Sequence, residues 1–218
     1  MQPTPAHLPS PDLIAAWPHV TAEEPLRVLV SGCLAGQRVG YDGSSYGSSP
    51  TVLQLLALPN VRAVPFCPED FSFGTPRALC DIHGGDGHDV LASRARVLTD
   101  DDQDWTDGMI AAAREMLRVA RLHDVHLAVL MDVSAACGSQ VIYQGARPFA
   151  PYQAAHGVCA ALLIESGIPV VSQRDFKTLN RVMAHLDPAH QLDPDARDHH
   201  ESDWYVRYFG GGGVGATW

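Results

Sequence analysis

The sequence holds a single lysine, Lys177, and no run of basic residues. Its 25 acidic side chains face 15 Lys and Arg, for a formal charge of −10. A chain that grips nucleic acid without regard to sequence needs a basic face, so non-specific nucleic-acid binding is not expected. No apolar stretch reaches the ~20 residues of a membrane-spanning helix, so no membrane partner is expected. The opening run Met1-Gln2-Pro3-Thr4-Pro5-Ala6-His7 has neither a basic start nor an apolar core. It does not read as a signal peptide, and a cytoplasmic, reducing setting follows. Cysteines in C-x-x-C spacing are absent, which argues against a zinc ribbon or a compact ferredoxin loop. H-E-x-x-H, the helix motif of many zinc hydrolases, is absent too.

Hydrophobic residues make up 46% of the 218, enough for a real core, and the length suits one decorated domain. We read residues 1–25, with six prolines, as an N-terminal extension carrying a short helix that Ser10 caps and Pro11 opens. Residues 26–173 read as one α/β domain. Apolar runs 26–33, 61–67, 127–131 and 168–172 read as strands. Residues 51–57, 106–123 and 154–166 read as helices between them. In the longest helix Met109, Ile110, Ala113, Met116, Leu117 and Ala120 recur at three- and four-residue steps. Strands alternating with helices predict an α/β fold with a mostly parallel sheet. Residues 68–89 read as a long polar loop, and 90–98 as a short hairpin or strand. Residues 174–218 read as a C-terminal extension: a helix around 177–186, an acidic and His-rich stretch 187–203, an aromatic docking segment 204–209 and a flexible tail.

Three of the five cysteines fall where strands end: Cys33, Cys67 and Cys137. In an open parallel sheet the carboxyl ends of the strands line the ligand crevice. Three thiols brought there from three strands point to a metal or cluster site. They lie 34 and 70 residues apart, so the fold and not a local loop must assemble it. Small buried hydrophobes are the plainer alternative for free cysteines. That alternative is preferred for Cys159, on a helix face, and Cys80 in the long loop carries a lesser claim as a fourth ligand or resolving thiol.

Five short motifs occur in order: Ser31-Gly32-Cys33-Leu34-Ala35-Gly36, Tyr41-Asp42-Gly43, Cys67-Pro68-Glu69, Gly74-Thr75-Pro76-Arg77 and Ser134-Ala135-Ala136-Cys137-Gly138. Together they resemble the bacterial thiouracil desulfidase family over roughly residues 26–172. The resemblance implies a Rossmann-like domain and a 4Fe-4S cluster held by Cys33, Cys67 and Cys137. It implies a desulfidase that cleaves C=S hydrolytically on a small thiocarbonyl such as a thiolated nucleobase, with the cluster as Lewis acid. Cys80 and Cys159 match no family cysteine. Ala136 stands where the family usually has serine, and Asp70-Phe71-Ser72-Phe73 follows Glu69 where many members are more aliphatic.

Glu69, two residues past a proposed ligand, is the expected general base. Ser134 is expected to bond substrate or a cluster sulfide, against the alternative of a turn hydroxyl. Asp42 is a candidate to orient substrate, with the turn role at least as good. Arg77 is a candidate to balance cluster charge or bind substrate. Rival readings are a sulfide carrier that hands sulfur to an acceptor and a non-enzymatic binding module. A divalent site at His199, His200 and their acids, or at His83, Asp86 and His88, is a third. The glycines after the first strand, Gly36, Gly40, Gly43 and Gly47, give neither G-x-G-x-x-G nor a P-loop. The oligomeric state stays open, a homodimer included.

Overall fold

The computed structural model describes residues 5–17, 20–45, 49–147 and 150–210. Gly47 and the tail beyond Gly210 therefore lie outside the described residues. The central sheet has four parallel strands in the order β2-β1-β5-β8. These are β1 (Leu26–Ser31), β2 (Val61–Phe66), β5 (Leu127–Leu130) and β8 (Val170–Ser172). Alternation along the strands divides the core in two. Leu29, Ala128 and Leu130 face one layer, and Val28, Val30, Leu127 and Val129 face the other. A parallel sheet covered on both faces needs this two-sided apolar pattern. Pro65 sits in β2, an edge strand, where a missing N–H is tolerated.

One face is covered by α5 (Thr106–Leu122) and α6 (Val158–Glu165). Met109, Ala112, Ala113, Met116, Leu117 and Ala120 form the buried stripe of α5. On the other face lie α1 (Pro11–Ala15), α2 (Pro50–Leu56) and α7 (Phe176–Leu186). Ser10 caps α1 as its hydroxyl accepts from the Leu13 N–H, and Pro11 opens it.

Residues 68–89 depart from the expected loop, and of 90–98, read as a hairpin or strand, the latter part is a strand. They form α3 (Pro68–Phe73), β3 (Cys80–His83), α4 (Gly87–Leu91) and β4 (Arg96–Thr99), with β3 and β4 paired antiparallel. The polarity that suggested a loop belongs to helix caps: Asp86 and Asp89 make a reciprocal capping box on α4. The helix expected from residue 154 begins at Val158, because 152–154 pairs as β7 (Tyr152–Ala154) with β6 (Val141–Tyr143). The C-terminal segment adds a 3-10 turn (His199–Glu201) and α8 (Asp203–Phe209). Among the described residues no helix is long and apolar enough to cross a membrane.

Candidate active site

Sheet order reverses direction at β1, with β2 on one side and β5 on the other. Ligand crevices form at such switch points, outside the carboxyl ends of the strands. The Gly32 N–H bonds Phe66 O at 2.9 Å, which carries the β1–β2 pairing to the rim. The chain then winds back tightly, with the Leu34 N–H on Ser31 O at 2.8 Å and the Gln37 N–H on Gly32 O at 3.0 Å. This turn holds Cys33 beside Cys67. Cys67 is the N-cap of α3, its sulfur accepting the Asp70 N–H at 3.4 Å. Pro68 ends the strand and opens that helix, which puts Glu69 in its first turn.

Cys137 arrives on the loop after β5. Ser134 Oγ accepts the N–H of Ala136 and of Cys137 at 3.2 and 3.1 Å, which shapes the turn. The first turn of α6 holds the loop from below. Gly157, Val158 and Cys159 donate their N–H groups to Gly138 O, Ala135 O and Ala136 O at 2.7 to 2.9 Å. Helix N–H groups without partners in their own helix are thereby satisfied by the loop's carbonyls. A Cβ on Gly157 would meet Ala135 O at 2.7 Å, so only glycine lets helix and loop approach this closely.

Cys33, Cys67 and Cys137 line one cavity of about 110 Å³, with Glu69, Arg77 and Ser134. The expected residues therefore meet, Asp42 excepted. Asp42 is exposed in a turn, accepting the Ser44 N–H at 2.9 Å, and is not part of the lining. Cys159 is fully buried in α6, as expected. The histidine alternatives do not assemble. His88 Nδ1 lies 2.6 Å from Glu165, Asp86 caps α4, Glu201 pairs with Lys177 and His199 with Asp132.

Burial, with Cys67 and Glu69 adding negative charge nearby, pushes the Cys33 thiol up to about 12. Burial likewise raises Cys67 and Cys137. Without a compensating cation these sulfurs keep their protons, and a bound metal centre would displace them. Among the described residues no three His, Cys, Asp or Glu converge closely enough for a single metal ion. A polynuclear cluster offers a separate iron to each thiolate, so its ligands need not converge on one point. Three soft thiol donors around one cavity fit such a group.

Arg77 organises the wall. Its guanidinium is 4% exposed and reaches Glu69 Oε2 at 2.8 Å. It also donates to Val39 O, Gly74 O and Thr75 Oγ1 at 3.0 to 3.1 Å. Three further residues line the cavity: Cys80, which carried a lesser claim from the sequence, and Arg147 and Asp132, which the sequence reading did not single out. Cys80, in β3, places its sulfur 3.9 Å from Glu69 Oε1. Arg147 grips Asp81 with Nε and Nη2 at 2.8 to 3.1 Å. Asp132 is buried beneath the Cys137 loop. Its thiol, the same donor type as the three proposed ligands, was the available signal for Cys80. Arg147 and Asp132 gave none.

A parallel α/β domain here delivers three thiols from three strand ends to one cavity, beside a carboxylate held by arginine. The family described as 2-thiouracil desulfurase matches residues 28–175. The chain belongs to that family. It is 33% identical over 153 residues to the uncharacterized protein YbbK of Bacillus subtilis (strain 168), covering 70% of this chain and 99% of YbbK. It also superposes on the structure of the [4Fe-4S]-dependent thiouracil desulfidase TudS with a TM-score of 0.60 and 32% identity, covering 72% of this chain and 97% of TudS.

Proposed function

We propose that this chain is a desulfidase that replaces the sulfur of a thiocarbonyl compound of the thiouracil class with oxygen from water. One water enters, its oxygen goes to carbon, and sulfur leaves as hydrogen sulfide with both protons. No net electron moves. The observation that carries this reading is the meeting of Cys33, Cys67 and Cys137 with Glu69 in one cavity. When bound by those three thiolates, a 4Fe-4S cluster supplies an iron without a protein ligand, a soft Lewis acid suited to a thiocarbonyl sulfur.

The remaining work falls to side chains. Glu69 takes a proton from the attacking water and passes it to the leaving sulfur. Arg77 fixes Oε2 of Glu69, and Oε1, whose nearest partner is the Cys80 sulfur at 3.9 Å, is the oxygen that takes the proton. Ser134 Oγ already accepts two N–H groups, so it keeps its own proton for a substrate or cluster acceptor.

The test is sulfide release from 2-thiouracil by anaerobically reconstituted protein, beside Glu69→Gln. Release by the parent and loss in the variant, at unchanged cluster absorbance, supports the reading. A reconstituted parent that releases no sulfide from any thiouracil overturns the substrate class, and a Glu69→Gln variant of near-parental rate removes Glu69 as base.

A further inference from the structure

The family match ends at residue 175, yet a side chain beyond it reaches under the site. His199 sits in the 3-10 turn and is 3% exposed. Its Nδ1 lies 2.6 Å from Asp132 Oδ2. A carboxylate only accepts, so Nδ1 carries the proton. The other oxygen, Asp132 Oδ1, accepts the N–H groups of Ser139, Gln140 and Val141 at 3.0, 3.1 and 3.1 Å. Those are the residues on which the Cys137 loop returns. One carboxylate therefore ties the start of the loop to its end. Burial opposes charge on Asp132, but His199 and the backbone donors outweigh it and hold its carboxyl below the usual range.

The loop needs holding. Val133, next to Asp132, has φ +58°, a left-handed conformation that a β-branched residue adopts only when its surroundings impose it. On the helix side, α6 secures the carbonyls of Ala135, Ala136 and Gly138. Nothing in α6 secures residues 139–141; their N–H groups go to Asp132, while the His156 ring holds Ser139 O at 2.7 Å, the Ala155 N–H holds Gln140 O at 3.1 Å, the Val133 N–H holds Val141 O at 3.1 Å and the Gln140 amide donates to Asp175. His199 is itself fixed. Its N–H donates to Asp175 Oδ1 at 2.9 Å, and its ring stacks on Trp204 with centroids 5.5 Å apart. Asp198 beside it accepts the N–H and hydroxyl of Thr178, both at 2.7 Å, which pins the turn to α7.

We infer that His199 is a positioning residue: residues 198–209 form a clamp that fixes Asp132 and, through it, the loop that presents Cys137 to the cavity. The consequence for a cluster rests on the proposed role of Cys137; the consequence for the loop does not.

The test uses the full-length chain, as purified and after anaerobic reconstitution, with His199→Ala, His199→Asn and His199→Gln. An asparagine amide can place an N–H near the position of Nδ1, and the longer glutamine overshoots it. Peptide-resolved hydrogen exchange should quicken at 138–143 by about tenfold or more in His199→Ala, with β1 unchanged and His199→Asn restored. Reconstituted His199→Ala should also lose cluster absorbance to a chelator several-fold faster than the parent. Unchanged exchange at 138–143, or an equal rise across β1, overturns the clamp. If His199→Ala does not fold, the comparison is Asn against Gln, and equal exchange in the two overturns it. A parent that takes up no iron defeats the desulfidase reading, while exchange at 138–143 still decides the clamp.

Discussion

One nitrogen of Arg77, Nη2, stands 2.8 Å from Glu69 Oε2, 3.0 Å from Val39 O and 4.0 Å from the sulfur of Cys67. The guanidinium thus joins the proposed base, the loop after β1 and a proposed ligand. A lysine is a point charge without the fork and cannot satisfy these partners together with Gly74 O and Thr75 Oγ1. Arg77→Lys should therefore lower turnover by about ten- to a hundredfold through misplacement of Glu69. Sulfide release at saturating 2-thiouracil measures it, and a parental kcat would show that Glu69 is held without Arg77.

Glu69→Gln keeps the shape of the wall but cannot accept a proton. The loss of general-base help should cost about a hundredfold or more in kcat. Iron content and the visible absorbance of the reconstituted protein should match the parent, which separates lost chemistry from lost cluster.

The four thiols of the cavity should not be equivalent. Replacing Cys33, Cys67 or Cys137 by alanine should abolish the roughly four irons and four acid-labile sulfides per chain expected of a loaded cluster. Cys80→Ser should retain them, because Cys80 matches no family cysteine and its sulfur sits against Glu69 Oε1 at 3.9 Å. Iron analysis of the four variants decides this, and full loading of Cys137→Ala would sink the ligand assignment.

Gly138 leaves no room for a side chain. An added Cβ would meet Ser134 O and Val141 O, both at 2.7 Å and both backbone. Gly138→Ala should destabilise the chain by about 1–3 kcal/mol, the usual cost of overpacking, and open the Cys137 turn. Urea unfolding gives the first quantity, and iron retention after reconstitution reports the second.

Burial, with Asp198 close by, pushes the Asp175 carboxyl from 3.8 up to about 8. The folded chain then holds a proton that the unfolded chain releases. Stability from this group is fully present below about pH 4, declines as pH rises, and is gone above about pH 8. Melting temperature should fall between pH 5 and pH 8.5, and Asp175→Asn, which cannot ionise, should flatten that slope. A slope unchanged in the variant would assign the effect to another group.

The parallel core was open to sequence reading because burial on both faces forces apolar runs at β1, β5 and β8, and α5 shows its stripe at helical spacing. The thiols at Cys33, Cys67 and Cys137 were legible because they follow strands, two, one and seven residues past their ends, and strand ends in such a sheet share one rim. Residues 80–83 and 96–99 were not legible as a pair. Strands of four residues carry too little periodicity, and antiparallel partners stabilise each other only once they meet. The β6–β7 hairpin, with three-residue strands, failed for the same reason.

By itself the sequence determined the sheet, its helical layers and the chemistry of three soft donors with a carboxylate in reach, because apolar patterning and residue type are local properties. Only the tertiary structure decided how the site is held. Arg77 onto Glu69, Arg147 onto Asp81 and His199 onto Asp132 bridge 8, 66 and 67 residues. Neutral spacing in the chain says nothing of such pairs. They form because a buried charge must find a partner, and which partner lies near enough is fixed by packing alone.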